Sequence, residues 1–270
     1  MTDTRRPLFD SSALAAHRAR ANEDGMFLHD LAISLVKERL IEVSRNFEKP
    51  AIISWQAQRW ADGLDLNATC LNADEVLPLS KDDGYDLMIH AFELHWMEDP
   101  IGQLIQMRRA LSPDGLMIAV LFGAQTLTAL RTALTKAEIA VRGGLSPRMA
   151  PLADLRDLGG LLQRAGYGLP VADNHLQEVS YATGINLMQD LRAMGETNAL
   201  AGRVRHFTAP SVLRAAFNDL EGTQPLTVTF ELSFLTGWAP SEIQQKPLKP
   251  GSATHSLAAI LDEIGQKDRS

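Results

Sequence analysis

The chain has 270 residues, of which 45 % are apolar, and a formal net charge of −7. That suits one large α/β domain with a sizeable core, and its scattered Lys and Arg argue against a nucleic-acid surface, which needs concentrated positive charge. Cys70 is the lone cysteine, which excludes an internal disulfide and a thiolate metal cluster.

The first residues lead into no apolar run, so no signal peptide is expected. Leu116–Phe122, the longest apolar stretch, is far too short to cross a bilayer of ~30 Å. Together with the cysteine usage this predicts a cytoplasmic protein without a transmembrane segment.

Residues 8–25 predict a short helix and a loop. From Met26 to Val43 apolar residues recur at helical spacing, which predicts an amphipathic helix. Ala51–Trp55 reads as a short strand and Leu64–Leu71 as a second one. Tyr85–Phe92 is a stronger strand. Asp99-Pro100 supplies an N-cap and a first-turn proline for a helix running to about Leu111. Ser112-Pro-Asp-Gly115 predicts a turn, with glycine taking the unusual φ, and Leu116–Phe122 follows as a strand. This strand–helix–strand unit with near-continuous apolar strands is the signature of a parallel sheet covered on both faces.

Helices are expected over 125–141, ending at Gly143-Gly144, and over 152–165, ending at Gly166. Leu169–Val171 and Glu178–Tyr181 read as one interrupted strand, and helices are expected over 185–194 and 211–220. In Leu226–Phe234 apolar residues alternate with Thr227, Thr229, Glu231 and Ser233, which predicts an antiparallel strand with one wet face. The fold class is therefore α/β, a mostly parallel sheet finished by antiparallel strands. Residues 1–49 form an N-terminal helical segment, 50–240 the α/β domain and 241–270 a C-terminal loop and helix.

Several segments together resemble one family. They include Leu8-Phe-Asp10, Ala73-Asp-Glu75 with Leu77-Pro78, Leu94-His-Trp96, Leu121-Phe-Gly-Ala-Gln-Thr-Leu127, Gly143–Pro147, Asp157–Gly166, Asp190–Asn198 and Gly237–Pro240. In this order they resemble the mitochondrial complex I assembly factor 5 proteins and their bacterial relatives. A more distant likeness runs to the malonyl-carrier-protein methyltransferase of the biotin pathway. The resemblance implies a Rossmann-like class I methyltransferase fold with S-adenosylmethionine (SAM) as cofactor and a respiratory complex I subunit as protein partner. It implies cofactor contacts at Asp74, Glu75, Phe92 and His95, with Asp74 facing the adenine amino group; a solvated loop acid is the plain alternative. Methyl transfer from a sulfonium mainly needs alignment and exclusion of water, so few acid–base residues are implied. The mitochondrial members act as protein-arginine hydroxylases, and a non-catalytic binding factor is a third reading.

The sequence departs from that pattern in its first half. The family's glycine loop after the first strand is replaced by Ser54-Trp-Gln-Ala-Gln-Arg-Trp60, and the first glycine after the strand is Gly63. The span from the first strand to Asp74 is short by roughly a helix and a strand against a βαβ unit of ~30 residues. Trp55 and Trp60 are expected to fill space that a nucleoside would occupy. Asp190, Arg192, Glu196 and Asn198 read either as a partner or substrate surface or, slightly favoured, as an internal salt-bridge set that fixes the turn at Gly195. Ser146-Pro-Arg148 offers a weak anion site, and the seven histidines are isolated, which speaks against a metal site.

Overall fold

In the computed structural model the described residues are 6–222, 226–242 and 244. Most of the expected C-terminal loop and helix lies outside them. The described residues up to Pro240 belong to one compact unit.

Six strands form one mixed sheet in the order β2-β1-β3-β4-β6-β5. They are β1 (Pro50–Ile53), β2 (Thr69–Leu71), β3 (Tyr85–Ala91), β4 (Leu111–Phe122), β5 (Gly168–Tyr181) and β6 (Leu226–Trp238). The first four are parallel, and β6 and β5 add on antiparallel. The alternation of side chains along a strand divides the core between the two faces. Ile52, Leu87 and Ile89 pack with α2 (Phe27–Val43) and α3 (Ala57–Leu64) on one face. Ala51, Ile53 and Met88 pack with α4 (Pro100–Ala110) on the other.

The helix ends follow local chemistry. The Asp99 carboxylate caps α4 by accepting from Gly102 N at 2.9 Å, with Pro100 in the first turn. α5 (Thr128–Arg142) ends at Gly143 with φ +70° and α6 (Leu155–Ala165) at Gly166 with φ +81°. The remaining helices are α1 (Ser11–Arg18), α7 (Gly184–Ala193) and α8 (Pro210–Glu221).

Four expectations need correction. The span after β1 carries a helix, α3, which buries Ala57, Trp60, Ala61 and Leu64, positions i, i+3, i+4 and i+7 of one face. The Ser112–Gly115 turn is continuous with β4, and Asp114 takes the left-handed φ of +64° instead of Gly115. Gly115 is there because a Cβ would stand 2.9 Å from Ser112 O. β5 is a single strand, with a register shift between Gly168 and Val171.

The fourth correction concerns β6. Thr227 is exposed, but Glu231 and Ser233 are 3 % and 0 % exposed, so this face of β6 is covered there. The Glu231 carboxylate is satisfied there, accepting from Gln125 N at 2.7 Å and from Asn174 Nδ2 at 2.7 Å. Gly123 is packed against that carboxylate, and a Cβ added to it would meet Glu231 Cδ at 2.4 Å. With both carboxylate oxygens held, the side chain cannot swing aside without losing buried hydrogen bonds. Gly123→Ala should therefore destabilise the fold by about 1–3 kcal/mol in urea denaturation. An unchanged midpoint would show that Glu231 yields freely.

Candidate functional site

The sheet order reverses direction between β1 and β3, so a crevice is expected outside the carboxyl ends of those two strands. A cleft of about 790 Å³ lies there. Trp55 reaches it from the end of β1, Asp74 and Glu75 from beyond β2, Glu93 from the end of β3, and Arg18 from α1.

Phe92 sets the geometry. This non-glycine residue has φ +54°, a left-handed conformation that side chains rarely tolerate. It turns the chain sharply at the end of β3. Its own ring is 1 % exposed and packs on His29 and Phe122, with centroids 4.7 and 4.9 Å away. Phe92 therefore sits in the core and not on the cleft lining.

The turn delivers Glu93 into the switch point. Its side chain is 1 % exposed. Oε1 accepts from Trp55 N at 2.7 Å, and Oε2 lies 2.8 Å from the Arg18 guanidinium. Burial pushes the Glu93 carboxyl up to about 7, against the pull of Arg18. Arg18 also stacks over Trp55, 5.4 Å from the ring centroid.

Asp74 and Glu75 sit on the cleft rim through their backbones. Gln103 Nε2 donates to Asp74 O at 2.7 Å and to Glu75 O at 3.0 Å. Both side chains are exposed, and Glu75 Oε1 accepts from Glu98 N at 2.9 Å. Trp60, expected near this space, is fully buried in the core and donates from Nε1 to His29 Nδ1 at 3.0 Å. Burial lowers His29 to about 4, so it is a neutral packing partner near pH 7.

His95 faces a second cavity, of about 200 Å³, on the other side of Trp96. Leu127, Leu130, Leu213, Met149 and Phe230 make it largely apolar, and Glu196 and His95 are polar groups in its wall. Glu196 Oε2 accepts from Trp96 Nε1 at 2.9 Å and lies 3.4 Å from His95 Nε2. The Glu196 side chain is 10 % exposed, and its Oε1 has no hydrogen-bond partner among the described residues. Burial favours the neutral acid, but His95, Arg18 and Trp96 together hold Glu196 below the ordinary value.

The sequence singled out Glu196 within a polar group, but the expected salt-bridge set is not there. Among the described residues no ion pair joins Asp190, Arg192, Glu196 and Asn198; instead Glu196 turns to His95, and Asn198 Nδ2 donates to Pro147 O at 2.9 Å. Nor does Arg148 offer a free anion site, because it donates to Glu138 at 2.6 Å and to Thr208 Oγ1 at 2.8 Å. Arg18 and Glu93 were missed as site residues; an arginine in the first helix and an acid before Leu94-His-Trp96 carry no spacing signal. Among the described residues no His, Cys, Asp and Glu cluster could hold a metal ion, and no helix is long and apolar enough to cross a membrane.

Comparison with known proteins gives close relatives. The arginine-hydroxylase NDUFAF5 of Danio rerio mitochondria is 31 % identical over 259 residues, covering 94 % of this chain and 74 % of that protein. The human protein of the same name is 36 % identical over 193 residues, covering 69 % and 55 %. A malonyl-[acyl-carrier protein] O-methyltransferase from Halorhodospira halophila is 31 % identical over 185 residues, covering 66 % and 60 %. This chain thus spans little more than half of the human protein. No family model matches it. Among solved structures the YcgJ protein of Bacillus subtilis aligns with a TM-score of 0.48 and 11 % identity over 76 % of this chain and 98 % of that one.

The raised Glu93 carboxyl makes stability pH-dependent. Between the ordinary value of 4.5 and about 7 the folded state holds a proton that the unfolded chain has lost. Its contribution is thus present below 4.5 and is lost as pH rises to 7. Glu93→Gln removes this loss, so the variant should gain on the wild type by on the order of 3 kcal/mol between pH 4.5 and 8. Denaturation curves across that range check it; a constant difference would show that Glu93 ionises normally.

Proposed function

We propose that this chain, which belongs to the arginine-hydroxylase NDUFAF5 family, serves the assembly of respiratory complex I by receiving an arginine side chain of a protein partner in the Glu196 pocket. The observation that carries this reading is the Glu196 carboxylate in the wall of a largely apolar cavity, with its Oε1 buried and without a hydrogen-bond partner among the described residues. An arginine has an aliphatic stem for the apolar wall and a planar guanidinium for the carboxylate. Arg148 does not cancel the attraction, since Glu138 pairs with it. The relatives' name, arginine-hydroxylase, agrees with the side chain proposed.

The fold family implies SAM as cofactor. The crevice has the volume for a nucleoside, and the position of Asp74 and Glu75 on its rim supports a cofactor contact there. The amino-acid end of SAM does not fit: no glycine lies between β1 and Gly63, and the local donors for a carboxylate, Trp55 N and Arg18 Nη1, face Glu93. No methyl-transfer step is therefore derived.

Calorimetry with blocked arginine amide and blocked citrulline amide tests the pocket. The wild type should prefer arginine by at least about tenfold, as expected for hydrogen bonds to a charged group, and Glu196→Gln should abolish the preference. Equal affinity for the two amides in the wild type removes the arginine reading. In cells, deleting the gene should lower assembled complex I, with rescue by the wild type and weak rescue by Glu196→Gln. An unchanged complex I level removes the assembly role.

A further inference from the structure

The crevice at the switch point contains a carboxylate site, and its occupant is part of the chain. A backbone N–H at the end of β1 and an arginine suit a carboxylate well, the first by a hydrogen bond and the second by an ion pair. Here Trp55 N is 2.7 Å and the Arg18 guanidinium 2.8 Å from the two oxygens of Glu93. The crevice beyond carries Asp74, Glu75 and Glu98, and Arg18 is the single cationic side chain among its described lining residues. A ligand that brought its own carboxylate would have to displace Glu93. The displaced acid would then lie in an acidic crevice, or buried without partners, and either is costly.

We propose that Glu93 is a built-in occupant of the crevice, holding the place of an incoming ligand's carboxylate, so that the native crevice discriminates against ligands with an amino-acid tail. A nucleoside without that tail meets no such competition. Phe92 supports the assignment, because its left-handed φ of +54° is what aims the following residue across the crevice at β1. Glu93 does not line the Glu196 pocket, so this proposal and the arginine reading fail independently.

The test removes the occupant and offers replacements. Glu93→Ala and Glu93→Gly should lose thermal stability, and formate or acetate at tens of millimolar should restore several degrees of it, whereas chloride at equal ionic strength should not. The wild type should not respond. In calorimetry at pH 8, S-adenosylhomocysteine should bind the wild type no more tightly than 5′-methylthioadenosine, which lacks the amino-acid tail. Glu93→Ala should gain at least tenfold for S-adenosylhomocysteine and little for 5′-methylthioadenosine. A wild type that prefers S-adenosylhomocysteine tenfold or more overturns the proposal. So does failure of both variants to respond to formate, acetate and S-adenosylhomocysteine. If neither variant folds alone, folding induced by formate or acetate supports the proposal and its absence refutes it.

Discussion

The Arg18–Glu93–Trp55 contact is the constraint on which the site end of the molecule depends. It ties three elements that are distant in sequence: α1, the end of β1 and the end of β3. Burying a carboxylate there costs several kcal/mol, which a single guanidinium and one amide offset in part. The value of such a pair lies less in stability than in register. It fixes where α1 lies over the crevice, and the Arg18–Phe92 O contact at 3.4 Å reinforces the same placement. The strained φ of Phe92 persists because its ring is locked between His29 and Phe122 while its N–H is donated to Val120 O at 2.8 Å.

Much of the frame was legible in the sequence because local signals and burial agreed. Asp99-Pro100 announces α4, Gly143 and Gly166 end their helices, and the apolar runs of β3 and β4 read as interior parallel strands. The class was legible too: four parallel strands completed by two antiparallel ones. α3 was not, because its eight residues show a short apolar face and its Trp60, like Trp55 before it, resembled a filler of a site. Only the register of α3 against α2 sends Trp60 to His29 and leaves Trp55 at the crevice. β6 misled for a different reason. Alternation marks two faces, but whether the polar face meets water depends on what covers it, and Glu231 is covered by Gln125 and Asn174.

The site itself was half legible. Asp74 and Glu75 reach the expected cleft, and His95 lines a cavity, but a different one, while Phe92 serves the core. The group that organises the crevice, Glu93, lies between two of these residues in sequence and carries no pattern of its own. Its role arises from a backbone turn and from an arginine 75 positions earlier, neither of which a motif encodes.

The two cavities share a wall, and that wall is electrostatically unbalanced. Glu93 and Glu196 are both buried, and Arg18 acts on both, yet their carboxyls move in opposite directions. The difference follows from their partners. Glu93 has Arg18 and one amide against nearly complete burial, whereas Glu196 accepts from the Trp96 ring N–H and has His95 Nε2 3.4 Å away, in addition to the field of Arg18. Environments that separate two neighbouring acids in this way give them distinct roles. Glu93 is the acid whose charge the fold tolerates least, and it is spent inside the molecule on the crevice. Glu196 is the acid held ionised, and its Oε1 is buried without a hydrogen-bond partner among the described residues. The short turn Leu94–Trp96 joins them, and Trp96 lines both cavities. Glu93 is therefore linked to Glu196 by the three-residue turn and then by the hydrogen bond that Trp96 Nε1 donates to Glu196 Oε2 at 2.9 Å.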